Sequence, residues 1–136
     1  MRIDGGCHCG FITFEAEADP ANTAMCHCSD CQNLSGSAFR ANIRVTADKL
    51  RFKGGEPTRY RKTTANSGIP RIHAFCPKCG GPLYATSADD KPAFYSLRIG
   101  TVNQRHQLRM NQQIWMQSAL PWVTDIAAIP KHDKGA

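Results

Sequence analysis

The sequence contains no run of about 18 apolar residues, which excludes a membrane-spanning helix from the expectations. Its first residues reach the polar stretch DGGCHCG too soon for the apolar segment of a cleaved signal peptide, so a cytoplasmic protein is expected. Helical periodicity is nearly absent, which excludes a helical bundle. An even number of cysteines is missing as well. Seven cannot pair off completely, and a chain without an export signal meets reducing conditions, so a disulfide framework is excluded. There is little excess charge once the cysteines are taken as metal-bound thiolates. Seven lost protons set against four charges from two zinc ions bring the formal +6 down to +3, which argues against nucleic acid as the partner. The sequence carries no signature of a particular oligomeric state.

What is present is period-2 alternation interrupted by turn residues, the pattern of a mainly β protein. In FITFEAEAD, Ile12, Phe14, Ala16 and Ala18 share one face and Thr13, Glu15 and Glu17 the other. In FRANIRV, Phe39, Ala41, Ile43 and Val45 are expected to face a core, leaving Arg40, Asn42 and Arg44 opposite them on a solvated face. Further strands are expected at 50–53, 58–62, 71–75, 82–86 and 93–100, between clusters of Gly, Pro, Asn and Asp. Helix is expected only as a turn or two after Cys28, with Ser29 as its cap, and as a turn at TADKL. One domain is expected over residues 1–130, with 131–136 as a frayed tail.

The cysteines fall into groups of two, three and two: Cys7 and Cys9, then Cys26, Cys28 and Cys31, then Cys76 and Cys79. A C-x-x-C turn followed by Gly aims two sulfurs at one point and is half of a tetrahedral zinc site. A C-x-C pair on an extended segment supplies the other half, because side chains at i and i+2 share a face. Cys7, Cys9, Cys76 and Cys79 are therefore expected to close a structural zinc site.

Cys26, Cys28 and Cys31 have no fourth cysteine to complete them. Three protein ligands with one exchangeable position is the pattern of a catalytic zinc. His8 and His27 point away from their neighbouring cysteines if the segments are extended, while His73 and His106 stay open as alternatives for the fourth ligand. Three thiolates make the metal a weak Lewis acid toward oxygen, so an incoming thiol is the better fourth ligand, and thiol activation is the chemistry suggested.

GCHCG, CHCSDCQNLSGSAF, FCPKCGGPLY and PWVTDI, in that order and spacing, resemble the glutathione-dependent formaldehyde-activating enzyme family, which includes centromere protein V. The resemblance implies a small β-tent of folded antiparallel sheets with one structural and one proposed catalytic zinc. It places Cys7, Cys9, Cys76 and Cys79 in the structural set and Cys26, Cys28 and Cys31 in the catalytic set. It also implies a carbon–sulfur lyase reaction, with glutathione and formaldehyde as the small-molecule partners and S-hydroxymethylglutathione as the adduct. In one departure, Asn103 stands where relatives often carry an acid.

Gln32, Ser35 and Gly36 follow the third ligand directly and are expected to meet the bound thiol, the first two through hydrogen bonds and Gly36 by allowing close backbone approach. Ser37 is a further hydroxyl there, and Arg40 and Arg44 are candidates for the carboxylates of glutathione. The alternative is a zinc-stabilised binding module in which RYRK, with Arg51, Lys53 and Arg71, meets an acidic partner. No aromatic residues interleave those cations as a nucleic-acid platform requires, and Trp115 and Trp122 are expected in core or rim packing.

Overall fold

The computed structural model describes residues 1–135. Its strands are β1 (Arg2–Gly6), β2 (Ile12–Glu17), β3 (Thr23–Cys26), β4 (Arg40–Thr46), β5 (Leu50–Gly54), β6 (Thr58–Lys62), β7 (Arg71–Phe75), β8 (Pro82–Ser87), β9 (Phe94–Arg98) and β10 (Gln113–Ile114). The α-helix α1 (Ser29–Ser35) lies between β3 and β4, and the remaining helical pieces are 3-10 turns, one of them at Ala47–Lys49. Among the described residues, no helix is long and apolar enough to cross a membrane.

Two sheets form, in the orders β1-β2-β5 and β10-β3-β4-β9-β8-β7-β6. All pairings are antiparallel except that of β10, which runs parallel to β3 and departs from the expected all-antiparallel arrangement. The physical reason is that β10 comes from the far end of the chain and docks by backbone bonds such as His27 N–H to the Ile114 carbonyl, 3.0 Å.

The core lies between the sheets. Ile3, Ile12, Phe14 and Ala16 come from the small sheet, and Ile43, Val45, Ala74, Leu83, Tyr84 and Leu97 from the large one. Alternation then decides the large sheet's other face. Ile43 and Leu97 face the core, so their strand neighbours Asn42, Arg44, Ser96 and Arg98 face away from it.

That second face is not the solvated surface expected for Arg40. Its side chain is 5 % exposed, because α1, the 62–67 segment and the segment around β10 curve over this side of the sheet. In the pairing register, Arg44 lies beside Ser96, Ser96 beside Ala85, and Ala85 beside His73. The two small residues in the middle of that row leave a hollow, and the large polar residues around it become its walls. Both tryptophans are at the surface: Trp115 stands on the rim of the hollow and Trp122 is exposed, so neither is core.

Candidate metal and thiol site

The first cysteine cluster joins two turns. Cys7 to Gly10 is a tight turn between β1 and β2, closed by Gly10 N–H to the Cys7 carbonyl at 3.1 Å, rather than the extended segment expected for a C-x-C pair. The extended geometry fails because β1 must reverse at once to pair with β2. Cys76 to Gly80 forms the second turn, with Gly80 N–H bonded to the Cys76 carbonyl at 2.8 Å and Gly80 at φ 73°, a left-handed conformation that disfavours a side chain. The sulfurs of Cys7 and Cys9, and of Cys9 and Cys76, are each 3.7 Å apart. Tetrahedral zinc with Zn–S bonds of about 2.3 Å would hold its sulfurs about 3.8 Å apart. The four ligand atoms of Cys7, Cys9, Cys76 and Cys79 all lie within 4.8 Å of one another, so the donor set and the spacing both fit a metal ion.

Backbone amides are aimed at these sulfurs, with Ile12 N–H on Cys7 Sγ and Lys78 N–H on Cys76 Sγ, both at 3.3 Å. Such bonds favour the thiolate. The Cys79 thiol is drawn down to about 6, first by a backbone bond from Cys9.

The second cluster is Cys26, Cys28 and Cys31, whose sulfurs also lie within 4.8 Å of one another. Among the described residues, no histidine completes it. Cys26 ends β3, Cys28 is extended, and Cys31 sits in the first turn of α1. The helix cap is Cys28 rather than Ser29, since Cys28 Sγ accepts from Cys31 N–H at 3.3 Å. The cap thus doubles as a ligand candidate whose sulfur is already stabilised as an acceptor. Without metal, a hydrogen bond between Cys31 and Cys26 lowers the Cys26 thiol and raises that of Cys31, so the cluster keeps a proton that a metal would displace.

The histidines settle differently. His27 is fully buried with its Nε2 against Gln113 Oε1 at 2.9 Å, which pins β10 beside β3. His106 lies exposed in a 3-10 turn. His73 lines the hollow, but its Nδ1 is occupied by Arg40 Nη1 at 2.8 Å and Arg98 Nη2 at 3.1 Å.

The hollow is a cavity of about 680 Å³ onto which all three cysteines of this cluster open. Among the described residues, five cations line it, Arg40, Arg44, Lys62, Arg71 and Arg98, against the single carboxylate of Asp30. Asp30 is already engaged by Lys62 at 3.3 Å and Thr64 at 2.8 Å, and its carboxyl is held below the usual range by those bonds. Arg98 is 7 % exposed, and among the described residues its Nε has no partner. Burial lowers it to about 9, which leaves it cationic at neutral pH. A cavity of this charge favours an anionic occupant.

Gln32, Ser35 and Gly36 are not brought to the cavity wall. The Gln32 amide donates to the carbonyls of His27 and Ser118, both at 2.9 Å, tying α1 to the C-terminal segment. Ser35 Oγ bonds the carbonyls of Gln32 and Phe39, and Gly36 ends the helix in a left-handed conformation. Of the cations in the acidic-partner alternative, Lys62 and Arg71 turn into the cavity, while Arg59 and Arg61 remain outside on β6. Asn103 donates to the Asp4 carboxylate at 2.8 Å, away from the cavity, and together with Gln104 it lowers that carboxyl.

Sequence reasoning missed Arg98 and left His73 as a possible metal ligand. Their signal was an arginine within the apolar run YSLRIG and a histidine within RIHAF, each at a position whose strand neighbours face the core.

The model of the glutathione-dependent formaldehyde-activating enzyme family matches residues 2–118. The chain therefore belongs to that family. A crystal structure of a Rhodobacter sphaeroides protein has a similar fold, with a TM-score of 0.60 at 23 % identity, over 81 % of this chain and 98 % of that one.

Proposed function

We propose that this chain, a member of the glutathione-dependent formaldehyde-activating enzyme family, is a zinc-dependent carbon–sulfur lyase that forms and cleaves S-hydroxymethylglutathione. The observation that carries this reading is a cluster of three cysteines, lacking a fourth ligand among the described residues, at the wall of a cation-lined cavity. Cys7, Cys9, Cys76 and Cys79 would hold a structural zinc, and Cys26, Cys28 and Cys31 a second one. A zinc ion on the three thiolates would supply a coordination position at which a thiol is stabilised as its nucleophilic thiolate near neutral pH.

The chain's own residues then bind and orient. Glutathione carries two carboxylates, and Arg44 and Arg71 are placed to receive them, both stacked on the Phe94 ring at 4.0 and 5.3 Å from its centroid. Stacking holds the guanidinium planes, and although Arg71 Nε donates to the Thr86 carbonyl at 3.3 Å, the terminal nitrogens are left to donate. Trp115 and Ile114 line the rim on the side of β3, where Ile114 pairs with Cys26. In the forward direction the thiol sulfur bonds to the aldehyde carbon, the carbonyl becomes a hydroxyl, and the thiol proton is replaced by one on oxygen. Seven free cysteines suit a reducing compartment such as the cytoplasm.

Cobalt(II) in place of zinc tests the reading. Glutathione should intensify the sulfur-to-metal charge-transfer absorption, oxidised glutathione should leave it unchanged, and Cys28→Ser should abolish the response. Exchange NMR with glutathione and formaldehyde should show adduct turnover above the uncatalysed rate. A spectrum indifferent to glutathione would remove the physical basis for the lyase assignment.

A further inference from the structure

We propose that His73 is a further catalytic residue, a neutral imidazole fixed as the Nε2–H tautomer by two guanidiniums, which donates a hydrogen bond to the aldehyde-derived oxygen of the substrate. The proposal rests on the thiol–aldehyde reading of the cavity and identifies the group that meets the oxygen.

The tautomer follows from hydrogen-bond chemistry. Arg40 Nη1 and Arg98 Nη2 both approach His73 Nδ1, at 2.8 and 3.1 Å. A guanidinium has donors only, so Nδ1 must be the bare acceptor and the ring proton must sit on Nε2. Protonating Nδ1 would break both bonds and place a third cation between two others. The groups facing this ring from the surrounding elements are Arg40 of β4, Arg98 of β9, Lys62 of β6, Arg71 of β7 and Asp30 of α1. Burial first, then Arg98 and Arg40, bring the imidazole down to about 3, and it is neutral throughout the physiological range. Among the described residues, Nε2–H has no protein acceptor, and His73 lines the cavity.

The cradle is also coupled to the cysteines. Arg40 bonds His73 and is attracted by Cys31, Cys26 and Cys28, so one guanidinium relates the imidazole to the cluster where the thiol sulfur would sit. Asn42 Oδ1 accepts from Arg98 Nη1 at 2.7 Å and fixes the other guanidinium. A donor held in this way pays little reorganisation when charge develops in front of it.

The chemistry balances without proton loss from the ring. The thiol proton leaves to solvent, the sulfur electron pair forms the C–S bond, and the carbonyl π pair moves to oxygen, where Nε2–H meets it. A solvent proton then completes the hydroxyl. In reverse, the hydroxyl proton leaves to solvent, the C=O bond re-forms, and the C–S pair returns to sulfur, which regains a proton from solvent on release. His73 keeps its proton in both directions, so it serves as a hydrogen-bond donor and not as a general acid.

The test uses the full-length, metal-loaded protein. Long-range proton–nitrogen NMR of the histidine rings should show Nδ1 bare and Nε2 protonated for His73 from pH 5 to pH 8, across the range in which an ordinary histidine titrates. The Nε2–H resonance should shift when glutathione and formaldehyde are added together, and not with glutathione alone. His73→Leu should keep both metals and a KM for glutathione within about threefold of wild type, while kcat falls by about 100-fold, as for a lost oxyanion donor. His73→Gln, whose amide both accepts and donates, should recover at least about tenfold of that loss. An Nδ1–H tautomer, a titration inside that pH range, an Nε2–H signal unmoved by the adduct, or wild-type kcat in folded His73→Leu would each overturn the proposal. The NMR outcomes decide it even where His73→Leu fails to fold. A wild-type protein that turns over no adduct overturns the lyase function together with this role, whereas an active wild type with an equally active His73→Leu overturns the role alone.

Discussion

The four-cysteine and three-cysteine clusters use the same side chain, with sulfurs within 4.8 Å of one another in each, yet they join different things. Cys9 and Cys76 meet across 67 residues of sequence, while Cys26, Cys28 and Cys31 come from one short segment. Closing a loop of the first length opposes roughly 4 kcal/mol of chain entropy, and one of the second about 1 kcal/mol. The first cluster also ties the β1–β2 turn of the small sheet to the β7–β8 turn of the large one. The second closes nothing that β3 and α1 do not already fix, and it faces a cavity. Coordination number alone does not separate a structural from a ligand-accepting site; the difference lies in which segments the ligands bind together and what the remaining side faces.

The comparison breaks first on Cys76→Ser against Cys28→Ser. Cys76 is fully buried, and its loss should remove about 3–5 kcal/mol and with it most of the fold. Cys28→Ser should stay within about 1 kcal/mol of wild type, since serine can still cap α1. Thermal melts measure both, and equal losses would make both clusters structural.

Ala85→Leu probes the cavity from its floor. The side chain would project into the hollow beside Ser96, leaving the four-cysteine cluster untouched. A glutathione titration of the cobalt protein should weaken by about tenfold or more with both metals retained, because the volume that holds the ligand is filled. A variant with unchanged affinity would move the thiol site out of this cavity.

Arg44→Gln sharpens the charge argument. Arg44 is exposed at the cavity edge and stacks on Phe94, so the fold should tolerate its loss. Glutathione affinity should drop by about tenfold, the order of one charge-assisted hydrogen bond, and the remaining affinity should depend less on salt. An unchanged salt dependence would place the carboxylate contacts elsewhere.

A further effect is in acid stability. His73 is held near 3 in the folded state against about 6.5 for an ordinary histidine, so the unfolded chain takes up the proton first as pH falls. The stability of the wild type is unaffected by this group above the ordinary value and declines as pH falls toward the folded one. Urea melts at pH 7 and pH 5 should therefore show the wild type losing more stability than His73→Gln, which has no such proton to gain. Parallel losses in the two proteins would mean that His73 accepts the proton readily in the fold.

Much of the fold was legible because it depends on local alternation. β6 and β7 have the bounds read from TRYRK and RIHAF, and Ile12, Phe14 and Ala16 point inward as the period requires. The partition of the seven cysteines was legible from spacing alone, and the structure groups their sulfurs the same way. Reading by alternation and cap preference failed where strand pairing, a competing cap or a distant segment decides the geometry. The Cys7–Cys9 pair turns because β1 pairs with β2, Cys28 displaces Ser29 as cap because its sulfur reaches Cys31 N–H, and β10 runs parallel because it arrives from the chain's far end.

The sequence by itself determined that Arg40, Asn42 and Arg44 share a face opposite Ile43 and Val45, since side chains alternate along any strand. It also determined that one cysteine group would lack a fourth member. Only the tertiary structure decided that the polar face is a cavity wall. That outcome needs Ser96 and Ala85 to fall side by side in register, α1 and the C-terminal segment to cover the sheet, and His73 to land between Arg40 and Arg98 from three separate strands. Alternation is a property of one strand, whereas concavity and a hydrogen bond between β4, β7 and β9 are properties of their assembly.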